Sequence, residues 1–178
     1  MTIQSLDGYI ADEQGDFAWA RPGEEVHAFI NDLTRPAGTH LYGRRMYEVM
    51  EVWERPEQLP EHEVIRDFAA IWQAADKVVY SRTLDAVSTE KTRLEREFDP
   101  DAVRALKESS DSDLTVGGPN LAAAAFRARL VDELQLFVAP AIVGGGTPSL
   151  PAGVRLDIEL VEERRFDGGM AYLRYRAR

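Results

Sequence analysis

The sequence predicts one α/β domain over residues 1–178: a mixed, mostly parallel sheet flanked by helices, with a C-terminal antiparallel hairpin. Three observations predict it. Strand-like stretches with β-branched centres alternate with stretches whose apolar residues recur at helical spacing. The connections are short and rich in glycine, proline and aspartate, so they turn the chain rather than link separate domains. At the C-terminus two strand-like segments flank Asp167-Gly168-Gly169, the composition of a tight hairpin turn.

Each element has a local reason. Residues 1–5 suit a short strand, closed by the turn residues Asp7 and Gly8. Residues 12–16 (DEQGD) form a loop, and WARPG at 19–23 leads into a helix with Val26, Phe29, Ile30 and Leu33 on one face. Pro36 and Gly38 end that helix. THLYG at 39–43 is a strand, followed by a helix over 44–53 that presents Met46, Val49, Met50 and Trp53. After the proline-bounded 55–60, Val64, Ile65, Phe68, Ile71 and Trp72 mark the next helix. DKVVYSRT (76–83) is a strand, KTRLEREF (91–98) a shorter one, and DPDAVRALKES (99–109) a capped helix. DLTVGG (113–118) is a strand that passes into a helix over 120–129. ELQLFVAPAIVG (133–144) reads as one long apolar strand, residues 144–153 as a loop, and 156–166 with 170–178 as the hairpin.

Composition narrows the function classes. The net charge is −10, from 31 acidic and 21 basic residues. Such a chain repels the nucleic-acid backbone at long range, so no nucleic-acid partner is expected. There is no cysteine, which excludes disulfides, zinc–thiolate sites and cysteine nucleophiles. His27, His40 and His62 are scattered without metal-binding spacing, so no metal is expected. No apolar run is long enough to span a bilayer, and the N-terminus does not read as a signal peptide. The expectation is a cytoplasmic protein with no membrane partner.

In open α/β sheets, ligands collect outside the carboxyl ends of the strands. Three strand ends carry unusual residues: Gly43, Arg44 and Arg45; Ser81, Arg82 and Thr83; Gly117, Gly118, Pro119 and Asn120. Bare glycine serves either close helix-on-sheet packing or the approach of a charged ligand to the backbone. Arginine forks match phosphate oxygens. The three together point to a phosphate-rich ligand. Neither a dinucleotide G-x-G-x-x-G nor a P-loop motif is present.

SLDGYIA, LYGRRMYEVM, VVYSRTL, LTVGGPNLAAAAF and LFVAPAIVGGGTPSL occur in an order and spacing that span nearly the whole chain. In these the chain resembles the dihydrofolate reductase-like family, in particular the reductase domain of the bifunctional riboflavin deaminase-reductase. The resemblance implies a homodimer that binds NADPH and a small-molecule substrate. It also implies reductase activity of the kind that converts 5-amino-6-(5-phosphoribosylamino)uracil in riboflavin biosynthesis. It gives Gly117, Gly118, Pro119, Asn120 and Leu121 to the cofactor phosphates, and residues 43–45 and 81–83 to the adenosine end with its 2′-phosphate. Ile10 and Ala11 go to the nicotinamide ribose, and Trp19 to cover of the substrate pocket. Glu24 is the candidate proton donor and Asp7 the second candidate. Their alternative readings are a first-turn helix carboxylate and an Asp-Gly turn. Met46 departs from dihydrofolate reductases, which carry threonine there. The competing function is a non-catalytic nucleotide-binding dimer, acting as sensor or scaffold.

Overall fold

The computed structural model describes residues 1–178, which pack as two compact units: Met1–Glu25 with Ala122–Arg178, and Val26–Leu121.

In the second unit, β3 (Ala37–Gly43), β4 (Asp76–Tyr80), β5 (Thr92–Glu95) and β6 (Asp113–Gly117) form one sheet in the order β5-β4-β3-β6. Every pairing in it is parallel. The unit also holds all but the first two residues of α1 (Glu24–Thr34), then α2 (Arg44–Met50), α3 (Glu63–Ala74) and α4 (Pro100–Ser109). α4 starts as its sequence requires: the Asp99 side chain accepts from the Asp101 N–H, and Pro100 sits where its missing N–H costs nothing. The helix expected over 44–53 instead ends at Met50 and tightens into a 3₁₀ turn over Glu51–Glu54.

The core of this unit contains a polar row. Lys77, His40 and Thr115 lie side by side on β4, β3 and β6 by the strand register. The His40 Nδ1 is 2.7 Å from the Thr115 hydroxyl, and its ring stacks 5.6 Å from that of Tyr42. The Tyr42 hydroxyl accepts from Trp72 Nε1 at 3.2 Å. Lys77 is buried with its ammonium 4.2 Å from the Trp72 ring centroid, and it donates to the Trp72 carbonyl at 3.2 Å. A carbonyl dipole and a π-face meet its charge directly, with the Glu54 carboxylate acting on it at longer range.

In the first unit, β1 (Thr2–Gln4), β7 (Glu133–Val138), β10 (Ala171–Ala177) and β9 (Ile158–Arg165) form a mixed sheet in the order β1-β7-β10-β9. β1 runs parallel to β7, and the other pairings are antiparallel, so the expected C-terminal hairpin is present. Its turn closes through Phe166 and Met170, with Gly169 at φ +82°. Phe137 and Tyr172 are cross-strand partners, both fully buried, with ring centroids 4.9 Å apart. The long strand expected over 133–144 stops at Val138, because Pro140 has no N–H to continue a ladder. A pairing that went unread in the sequence joins β2 (Tyr9–Ala11) to β8 (Thr147–Pro148), inside the expected loop. α5 (Pro119–Arg127) begins in the second unit and ends in the first.

Candidate functional site

Because all four strands of the parallel sheet point the same way, their carboxyl ends share one edge. Gly43 is level with Tyr80, Tyr42 with Gly117, and Tyr80 with Glu95. The segments 43–45, 81–83 and 117–121 are therefore brought together. A fourth end, that of β5, joins them and carries Arg96. Sequence reading missed Arg96, and its one signal was the strand propensity of residues 92–95.

The arginines at this edge differ in their engagement. Arg44 donates from Nε to Glu48 at 2.7 Å and from Nη1 to the Thr83 hydroxyl at 2.8 Å. Arg82 donates to Glu97 at 3.2 Å. Arg45 is exposed and makes no ion pair. The Ser81 hydroxyl is buried and accepts from the N–H groups of Thr83 and Leu84, so those two donors are spent inside the loop. The side-chain donors of this loop are the Arg82 guanidinium and the Thr83 hydroxyl.

The paired glycines have reasons within the chain. A Cβ on Gly117 would lie 3.0 Å from both Met46 Cγ and the Tyr42 ring, so a side chain there requires those two to give way by a few tenths of an ångström. Gly118 sits at φ +98°, a conformation glycine alone adopts freely, with the Gly43 backbone 3.6 Å from where its Cβ would be. Met46 thus covers the double glycine with its side chain. Pro119 opens α5 without an N–H, leaving Asn120 and Leu121 as the first-turn donors.

The remaining candidates belong to the first unit. Ile10 and Ala11 lie on β2 and are half-buried. The Ala11 carbonyl leaves Gly146 no room for a side chain, since a Cβ there would be 2.1 Å away. Trp19 sits in a 3₁₀ turn, half-buried, with its indole N–H donating to the Asp16 carbonyl at 3.2 Å. Glu24 is exposed at the first turn of α1. Asp7 has structural work: its carboxylate accepts from the Val143 N–H at 3.2 Å and the Gly144 N–H at 2.8 Å. A hydrogen bond from Ser5, with those two N–H groups, holds its carboxyl below the usual carboxylate range. At neutral pH it is a charged clamp on the glycine loop with no proton to give, so the geometry speaks against Asp7 as the acid.

The fold and this edge define a class: an α/β protein whose parallel-strand ends gather guanidinium groups at one edge of the sheet. The model of the RibD C-terminal domain family matches residues 1–172, across both units, and the chain belongs to that family. It is 24% identical over 173 residues to the uncharacterized protein YyaP of Bacillus subtilis (strain 168), covering 96% of this chain and 89% of that one. A putative riboflavin biosynthesis protein from Shewanella sp. PV-4 superposes with a TM-score of 0.77 at 19% identity, over 99% of this chain and 96% of its own. A diaminohydroxyphosphoribosylaminopyrimidine deaminase/5-amino-6-(5-phosphoribosylamino)uracil reductase from Thermotoga maritima gives 0.65 at 16% identity, matching 99% of this chain but 55% of its own. A pyrimidine reductase-like protein from Corynebacterium diphtheriae gives 0.62 at 13% identity, over 99% and 90%. These structures share the fold.

Proposed function

We propose that the protein is a pyrimidine reductase-like enzyme that uses NADPH to reduce a small heterocyclic or carbonyl substrate. The supporting observation is the shared edge of four parallel strand ends, which concentrates Arg44, Arg45 and Arg82 in a chain of net charge −10. An acidic protein attracts a 2′-phosphate only where local cations override its overall field. The edge fits such a group, with Arg45 unengaged by any carboxylate and the Asn120 and Leu121 N–H groups in the first turn of α5.

On this reading Gly43, Gly117, Gly118 and Pro119 shape the edge, Asn120 and Leu121 meet the phosphates, and residues 44–45 and 81–83 take the adenosine end. In the first unit, Ile10 and Ala11 serve the nicotinamide ribose, Trp19 covers the substrate and Glu24 delivers the proton. NADPH, when bound, supplies the hydride. Reduction of a C=N or C=O carbon leaves charge on the heteroatom, which a positioned acid quenches. The exposed β9, at the free edge of its sheet with Ile158, Leu160 and Val161 open to solvent, serves as the homodimer contact.

With Asp7 engaged as a clamp and Glu24 exposed to solvent, no candidate acid is enclosed, and this favours a second reading in which the dimer binds a nucleotide without catalysis. Fluorescence titration with NADPH and NADH, followed by NADPH oxidation in the presence of pyrimidine substrates, separates the two. NADPH binding with turnover supports the reductase. Binding without turnover on any pyrimidine leaves the nucleotide-binding dimer, and no binding of either cofactor removes both.

A further inference from the structure

We infer that Arg96 is a positioning residue for the phosphate-binding edge, holding the loop after β4 in the shape that presents Arg82 and Thr83 to an anion. This rests on the cofactor reading above.

Arg96 follows β5 directly, and the parallel register that sets Glu95 level with Tyr80 places it beside Ser81. Its Nη1 donates to the Ser81 carbonyl at 3.3 Å and to the Leu84 carbonyl at 2.6 Å. The Ser81 hydroxyl accepts from the Thr83 N–H at 3.3 Å and the Leu84 N–H at 3.0 Å. Carbonyls at both ends of the loop are thus tied to one guanidinium, while its inner N–H groups are tied to one hydroxyl. The Ser81 N–H is spent on the Glu95 carbonyl, which anchors the start of the loop to the same strand that carries Arg96.

The loop reaches Arg44 through Thr83, whose hydroxyl accepts from Arg44 Nη1 at 2.8 Å. Removing Arg96 leaves the loop's backbone beyond Ser81 held by the Ser81 hydroxyl alone, with the Arg44–Thr83 hydrogen bond and the Arg82–Glu97 pair attached only through side chains. Two carbonyls lose their donor, and the Thr83 hydroxyl and Arg82 stem gain conformations that do not face the ligand. Ordering them again on binding subtracts from affinity. The loop's backbone shape sets where the Arg82 and Thr83 side chains stand, and so what an anion meets. A charged group aimed at the protein's own backbone, although Glu95 and Glu97 flank it, is doing mechanical work here.

The test compares wild type, Arg96→Met and Arg96→Lys. NADPH, NADH and adenosine 2′,5′-bisphosphate are titrated against each, and amide hydrogen exchange is followed at residues 83 and 84. Arg96→Met keeps the aliphatic stem, and the expected result is about tenfold weaker binding of NADPH and the bisphosphate. NADH should change little, and exchange at both amides should accelerate. Arg96→Lys keeps one donor nitrogen able to reach both carbonyls, so it should recover most of the affinity and the protection. Wild-type affinity and exchange in Arg96→Met overturn the inference and leave the cofactor reading standing. Recovery of protection without affinity in Arg96→Lys also overturns it, since Arg96 would then touch the anion itself. A wild-type protein that binds none of the three probes removes the cofactor reading and this inference with it.

Discussion

Acidification should destabilise the protein through His40 well before the carboxylates titrate. The imidazole is 2% exposed, and burial, helped by the charge of Lys77 on the neighbouring strand, pushes its pKa down to about 4. Its Nε2 is buried without a partner, so an imidazolium there would hold a charged N–H with no acceptor. In the unfolded chain the same group titrates near 6.5. The folded pKa lies below the unfolded one, so between those values the unfolded state binds the extra proton. The stability tied to neutral His40 is complete above about pH 6.5 and drains away as the pH falls toward 4. A shift from 6.5 to about 4, at about 1.4 kcal/mol per unit, amounts to about 3 kcal/mol, most of it gone by about pH 4.5. Half-buried His27 is shifted the same way, by burial first, and adds a smaller loss in the same window. Asp7 and Asp67 are held low by hydrogen bonds and lose their contribution only at more acid pH. The assay is urea unfolding at intervals from pH 7.5 to 4.5 for wild type and His40→Gln, which cannot titrate. The variant's profile should be flatter by about one proton over this range. Parallel profiles would refute the reasoning and place the His40 ring in a wetter setting than its burial indicates.

Arg45→Ala and Arg82→Ala should each weaken NADPH by at least about tenfold and barely change NADH, with Arg45 the larger loss because Arg82 already pairs with Glu97. Equal losses for both cofactors in a titration would assign these side chains to the shared pyrophosphate or to the fold. Glu24→Gln should lower turnover while cofactor affinity holds, and an unchanged pH–rate profile would pass the proton to water. Light scattering should return a dimer, and a mass near the 20.0 kDa of one chain at micromolar concentration would leave β9 uncovered. Gly146→Ala should cost roughly 2–4 kcal/mol in denaturant melts, from its φ of +126° and a Cβ against the Ala11 carbonyl. Gly168→Ala, where nothing lies within 4 Å, should be close to neutral, and similar melts for the two would contradict the steric reading.

The sequence alone determined the alternation of strands and helices, the capped start of α4, the C-terminal hairpin and the strand ends that carry glycine and arginine. These are legible because side-chain periodicity and turn chemistry follow from backbone geometry within a few residues. Tertiary structure decided the rest. KTRLEREF reads as a short strand. Its parallel pairing with β4 brings Arg96 to the same edge as Ser81, and no local pattern encodes which distant strand a segment joins. Tyr9–Ala11 and Thr147–Pro148 are too short to show a period, and they form strands only because each finds the other across more than a hundred residues. The sequence leaves the paired glycines open to packing or to a ligand, and the tight approach of Tyr42 and Met46 to Gly117 is visible only once α2 packs over the end of β6. Nothing in the local sequence around His40 or Lys77 marks them as neighbours. Register alone sets them side by side in the interior, and burial, a property of the whole packed unit, then moves the pKa of His40.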